Sequence, residues 1–138
     1  METITIVGTG LIGTSIALGI KNANNNLYIR GYDNSPKHSS ESKTIGALDE
    51  SCESLRDAVS NASLVILATP VNAMQSILDT ISPHLMEGCV VTDTGSTKQS
   101  ILSWAKQSLP EHVSFVGGHP MAGKELSGPW SADASLFD

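Results

Sequence analysis

A short apolar run, Ile4 to Val7, leads without a break into Gly8-Thr-Gly10-Leu-Ile-Gly13, and a helical pattern begins on its far side. Few sequence features restrict a fold so strongly. A strand that ends in three glycines at this spacing and opens a helix is the start of a dinucleotide-binding βαβ unit. Gly8 permits the tight turn, Gly10 lets the backbone approach a pyrophosphate, and Gly13 lets the helix pack closely on the strand. The helix N-terminus then turns unpaired backbone N–H groups and a favourable dipole toward the phosphates. Leu11 and Ile12, the first residues of that helix, belong with the three glycines to the expected cofactor contact. Twenty residues beyond Gly13 comes Asp33, at the end of the second strand-like run. A carboxylate there accepts the ribose hydroxyls of adenosine and repels a 2′-phosphate, so the expected cofactor is NAD. Lys37 and His38 follow closely enough to offer positive charge, which leaves NADP open.

The rest of the chain repeats the alternation. Strand-like runs fall at Leu27 to Tyr32, Leu64 to Ala68, Val90 to Thr92 and Val113 to Val116. Between them lie helical patterns: Leu11, Ile12, Ile16, Leu18 and Ile20; Met74, Ile77, Leu78, Ile81 and Leu85; and a stretch from about Gln99 to Leu109, stopped by Pro110. The polar segment from Asn34 to Ser54 reads as one helix starting at Pro36 and ending near Gly46, then a loop or short edge strand. The near-continuous apolar character of Ile4 to Val7, Leu64 to Ala68 and Val90 to Thr92 suits strands covered by helices on both faces. The fold class expected is α/β: a Rossmann-type, doubly wound, mainly parallel sheet with helices on both faces.

At 138 residues the whole chain, 1–138, reads as one nucleotide-binding domain. Its net charge of -6, with only eight scattered Lys and Arg, speaks against a nucleic-acid partner and for a small molecule. No run approaches the roughly 20 apolar residues of a membrane helix. Cys52 and Cys89 fit neither a disulfide framework nor a metal site and read as reduced thiols of a cytoplasmic protein.

In such sheets ligands bind beyond the carboxyl ends of the strands, so the residues after each strand matter most. Thr69 and Pro70 follow one strand, Pro70 shaping the loop over the adenosine side. Asp93, Thr94, Gly95, Ser96, Thr97 and Lys98 follow the next; Asp93 is suited to fixing its loop through backbone N–H groups, and Ser96 to capping the helix after it. Gly117, Gly118, His119, Pro120 and Gly123 form the last rim loop. An imidazole at that rim suits the proton transfer that accompanies hydride loss from a hydroxyl-bearing carbon, so His119 is the candidate catalytic residue. His38, His84 and His112 lack such a setting and read as surface residues.

With these residues in hand, the chain resembles the N-terminal domain of the prephenate and arogenate dehydrogenases of tyrosine biosynthesis. The matching stretches are Gly8 to Gly13, Asp93-Thr-Gly-Ser-Thr-Lys98, and Gly117-Gly-His-Pro-Met-Ala-Gly123 continuing through Lys124 and Glu125 to Gly128. The resemblance implies an oxidative decarboxylation in which hydride leaves the ring carbon bearing the hydroxyl, carbon dioxide departs, and the ring becomes aromatic. It gives His119 the role of polarising or deprotonating the ring hydroxyl, and Ser96 a hydrogen bond near that hydroxyl and the nicotinamide. Glu125 matches a position where some family members place an acidic residue in the substrate pocket, and Lys124 is the nearby cation that could partly substitute for the basic residues the family takes from its helical domain.

Family members continue into a helical domain that forms a homodimer and supplies basic residues. The chain is therefore expected to be part of a longer two-domain enzyme, with Leu126, Trp130, Leu136 and Phe137 where the second domain packs. Two rivals stay beside this reading. A β-hydroxyacid-type dehydrogenase opens the same way but takes its catalytic lysine from a later helical domain, and an NAD-sensing domain needs no proton acceptor at the rim. Whether the substrate is prephenate or arogenate is left open by these residues.

Overall fold

The structure, a computed structural model, describes residues 2–24, 26–94 and 104–116. Strand β1 (Thr3–Val7) runs into helix α1 (Leu11–Ala23), then β2 (Tyr28–Tyr32), α2 (Pro36–Thr44), β3 (Glu50–Ser51), α3 (Leu55–Val59), β4 (Leu64–Leu67), α4 (Val71–Ile81), β5 (Val90–Asp93) and β6 (Ser114–Val116). Among the described residues the six strands make one sheet in the order β3-β2-β1-β4-β5-β6, and every pairing is parallel. This is the Rossmann order, in which the chain leaves one edge after β3 and crosses back to the other side of β1. The expected fold class is thus the observed one.

Alternation along the central strands assigns their side chains to two cores. Ile4, Ile6 and Ile66 join Ile16 and Ala17 of α1, together with Ala47 and Leu48, on one face. Val7, Val65, Leu67 and Val91 join Val59, Met74, Leu78 and Ile81 of α3 and α4 on the other. A large aliphatic side chain that leaves water completely contributes roughly 2 kcal/mol, which is why each face needs its helix. Even the buried Thr5 hydroxyl has a use in this packing: it donates to the Ala58 carbonyl of α3.

Three elements depart from the expectation. The period through Leu85 ends instead at Ile81, because Pro83 cannot continue the hydrogen-bond ladder and the chain tightens into a 3-10 turn over Ser82–His84. Leu85 is still buried, packed on the same core from outside the helix. Helix α3 has no counterpart in the sequence reading; the Ser54 hydroxyl caps it by accepting from Asp57 N at 3.1 Å. Of the helix expected over 99–109, residues 104–108 are helical, and its first part lies outside the described residues. Both cysteines are free and buried, and burial pushes each thiol up to about 11.

Asp49 ties the thin edge strand to the body. Its Oδ2 accepts from Ile29 N at 2.8 Å, and its Oδ1 pairs with the Lys21 ammonium of α1. Burial favours the protonated acid, but the hydrogen bonds from Lys21 and Ile29 outweigh it and hold the carboxyl below its ordinary value. A lowered folded value means stability that is present above the ordinary aspartate range and lost as the pH falls through the folded value. Asp49→Asn is expected to cost about 1 kcal/mol at neutral pH. In thermal melts at a series of pH values the gap from the parent protein narrows on acidification; a gap independent of pH would contradict this account.

Candidate functional site

The glycine loop sits where β1 meets its two neighbours, at the point where strand order reverses. Gly8 has φ +98°, and its amide donates to Tyr32 O at 2.7 Å; a Cβ there would stand 2.6 Å from Ala68 O. A Cβ on Gly13 would meet Gly8 O at 1.8 Å, so α1 can rest on the loop only with glycine there. Thr9, between them, is a junction. Its amide donates to Asp33 Oδ2 at 2.8 Å, while its carbonyl accepts from Thr14 Oγ1 at 2.9 Å and from Ser42 Oγ of α2 at 3.2 Å. The second Asp33 oxygen accepts from Ser35 N at 2.8 Å. One carboxylate therefore fixes the glycine loop and the start of α2 together.

Beside these groups opens a cleft of about 660 Å³. Its walls are Gly8 and Gly10 of the loop, Tyr32, Asp33 and Asn34 after β2, and Thr69 and Pro70 after β4. Leu55 of α3, with Ala73, Ser76 and Ile77 of α4, closes the far side. The fit to a dinucleotide rests on three observations. No side chain caps α1, so its N-terminal amides are open to an anion. A Cβ on Gly10 would meet nothing within 4 Å, so the space above that backbone is unfilled by protein. Asp33, only 11% exposed, presents a fixed carboxylate at the mouth, while the opposite wall is apolar enough for a base.

Of the residues read from sequence as cofactor contacts, Gly8, Gly10, Asp33, Thr69 and Pro70 come together around this cleft. Leu11 stands at the α1 N-terminus and is 69% exposed, Ile12 packs at the edge of the α1 core, and Gly13 is buried against the loop. These three are not walls of the cleft. Asp93 is buried at the end of β5, two strands from β1. Gly95, Ser96, His119, Lys124 and Glu125 lie outside the described residues, as do Leu126, Trp130, Leu136 and Phe137. His84 is exposed, as expected. His38 is on the surface, as expected, and it also lines the cleft, its Nδ1 3.6 Å from Asp33 Oδ1. Sequence reasoning missed Leu55, Ala73, Ser76 and Ile77. The position of α4 directly after Pro70 was the available signal, since the first turns of that helix must face the same rim.

The family model described as prephenate dehydrogenase, nucleotide-binding domain, matches residues 16–138. The chain belongs to this family. The match begins inside α1, after the glycine loop, so it does not depend on a motif shared by many unrelated dehydrogenases. Among relatives of the family, the prephenate dehydrogenase of Bacillus subtilis (strain 168) is 40% identical over 138 residues, 99% of this chain and 37% of the relative. The cyclohexadienyl dehydrogenase of Zymomonas mobilis is 35% identical over 134 residues, 97% of this chain and 45% of the relative. A crystal structure of the prephenate dehydrogenase from A. aeolicus, in complex with hydroxyphenyl propionate and NAD+, superposes with a TM-score of 0.83 at 33% identity. It covers 100% of this chain and 48% of that one. The chain thus spans less than half the length of these relatives.

Proposed function

We propose that the chain is the NAD-binding domain of an enzyme that oxidatively decarboxylates prephenate to 4-hydroxyphenylpyruvate in the synthesis of tyrosine. The observation that carries the proposal is the Asp33 carboxylate, held by the Thr9 and Ser35 amides at the mouth of a cleft whose floor is the glycine loop. Family membership and the NAD+ complex of the A. aeolicus relative support the same reading. NAD when bound takes the hydride that leaves the substrate ring. The residues of this chain bind the cofactor and manage the proton. The α1 amides and Gly10 receive the pyrophosphate, and Asp33 receives the adenosine ribose. His119 accepts or polarises the proton of the ring hydroxyl, with Ser96 beside it, and Glu125 and Lys124 face the substrate. Leu11, Ile12, Asp93 and Gly95 complete the rim around the cofactor. Aromatisation supplies much of the driving force, which leaves positioning and proton management to the protein.

The same reading makes residues 1–138 one domain of a longer cytoplasmic protein that dimerises through a helical domain. The test is formation of reduced nicotinamide by that longer protein, given NAD with prephenate and, in parallel, arogenate. Reduced cofactor with prephenate sustains the proposal. Turnover of arogenate alone moves the substrate to the amino-acid form, and NAD binding without turnover of either leaves a sensor in place of an enzyme.

Replacement of Asp33 tests the cofactor half separately. Asp33→Ala removes the ribose acceptor and also releases the Thr9 and Ser35 amides, so NAD is expected to bind about ten- to hundredfold more weakly. Exclusion of a 2′-phosphate should relax in the same variant. Titration calorimetry with NAD and NADP reads both effects, and an unaltered preference would remove Asp33 from the site.

A further inference from the structure

The cleft holds a second ionisable group beside the ribose acid, which the assignment of NAD does not use. His38, in the first turn of α2, lines the cleft with Nδ1 3.6 Å from Asp33 Oδ1, its side chain 54% exposed against 11% for the carboxylate. Asp33 cannot turn away, because the Thr9 and Ser35 amides hold both of its oxygens. Its effect on a ribose 2′-phosphate therefore depends on the charge standing next to it. Histidine is the side chain whose unperturbed charge changes between about pH 5 and 8.

The charged and titratable groups around His38 are few. Asp33 faces it from the end of β2, and Tyr32 adds a phenol to the same wall. Lys37, Glu41 and Lys43 share its helix. The walls given by α3, by α4 and by the loop after β4, such as Leu55, Ser76 and Pro70, carry no titratable side chain. Asp33 is thus the group whose repulsion an imidazolium would offset, and the imidazolium itself would add a charge-assisted donor to a phosphate.

We infer that His38 is a proton-gated specificity residue: its charged form admits a ribose 2′-phosphate to the site, and its neutral form leaves the site selective for the unphosphorylated ribose. The inference rests on the reading of the cleft as the NAD site and deepens it. It makes the cofactor preference a function of pH, with NADP approaching NAD on the acid side.

The test is calorimetric binding of NAD and of NADP to the full-length protein between about pH 5.5 and 8.5. His38→Gln and Lys37→Gln are run beside it, with thermal melting to show that each variant is folded. In the parent protein the ratio of the NADP Kd to the NAD Kd is expected to fall about tenfold or more from the alkaline to the acid end. The 2′-phosphate takes up a proton of its own near about pH 6 and also weakens its repulsion by Asp33. That part of the slope survives in His38→Gln; the remainder disappears. Lys37→Gln keeps the parent slope. Equal slopes in the parent and His38→Gln overturn the inference while leaving the NAD site intact, and so does a slope lost with Lys37 in place of His38. Absence of NAD binding at every pH overturns the inference and the underlying reading together.

Discussion

His119→Asn in the longer protein is expected to lower kcat roughly 10²–10⁴-fold while leaving the Kd for NAD near the parent value. The asymmetry follows from where the two tasks are done. In the proposed reading, cofactor binding is carried by the loop after β1, by Asp33 and by the α4 wall, all of which lie within residues 4–77. His119 follows β6 in the sequence, and in the proposed role it touches the reaction only through the substrate hydroxyl. Asparagine keeps a polar group of similar reach but cannot take a proton near neutral pH. The acid limb of the kcat/KM profile should vanish with it. Single-turnover kinetics with prephenate and calorimetry with NAD separate the two quantities. An NAD-sensing domain predicts no such loss, so a variant with full turnover would favour that rival.

The second large effect is on the fold. In Gly13→Ala the new methyl would meet Gly8 O at 1.8 Å, a contact with backbone that no rotamer change relieves. Helix α1 would have to lift from the loop, opening the face where Ile16 and Ala17 pack on Ile4, Ile6 and Ile66. The expected cost is about 3 kcal/mol or more, visible as a fall in Tm of roughly 10 °C. Gly10→Ala provides the contrast. Its Cβ would meet no protein atom within 4 Å, so the fold should persist, yet the methyl enters the space above the loop where a pyrophosphate is received. One variant thus melts early, and the other melts nearly normally but fails to bind NAD. Equal melting of the two would show that the close approach at Gly13 is not what holds α1 down.

These two glycines also show what the sequence made legible. The motif gave the turn, the helix and the cleft floor because each glycine answers to a separate steric demand. The doubly wound sheet was legible because Leu64 to Leu67, and Ile4 to Val7 apart from Thr5, are near-continuous apolar runs, which suits strands covered on both faces. Helix α3 was not, since five residues hold too little of a 3.6-residue period to stand out from a loop. Pro36 marked the start of α2 correctly, although that helix buries only Ser39 and Ser42 and has almost no apolar face. The α4 wall was hidden for another reason: Ile77 was visible as a packing residue, and nothing in its spacing says that the same side chain also borders a cleft. Closeness in sequence already put the His38 charge near Asp33, but only the turn after β2 shows that His38 lines the cleft, 3.6 Å from that carboxylate.

Thr9 has a consequence for the thermodynamics of binding. Its amide is committed to Asp33, and its carbonyl to Thr14 and Ser42. The loop is thereby tied at both ends to groups on β2, α1 and α2. Such a loop is already in its receiving shape before any nucleotide arrives, so little ordering entropy is charged against the association. The heat of binding then reports contacts made with the ligand, with little contribution from a backbone that has yet to settle.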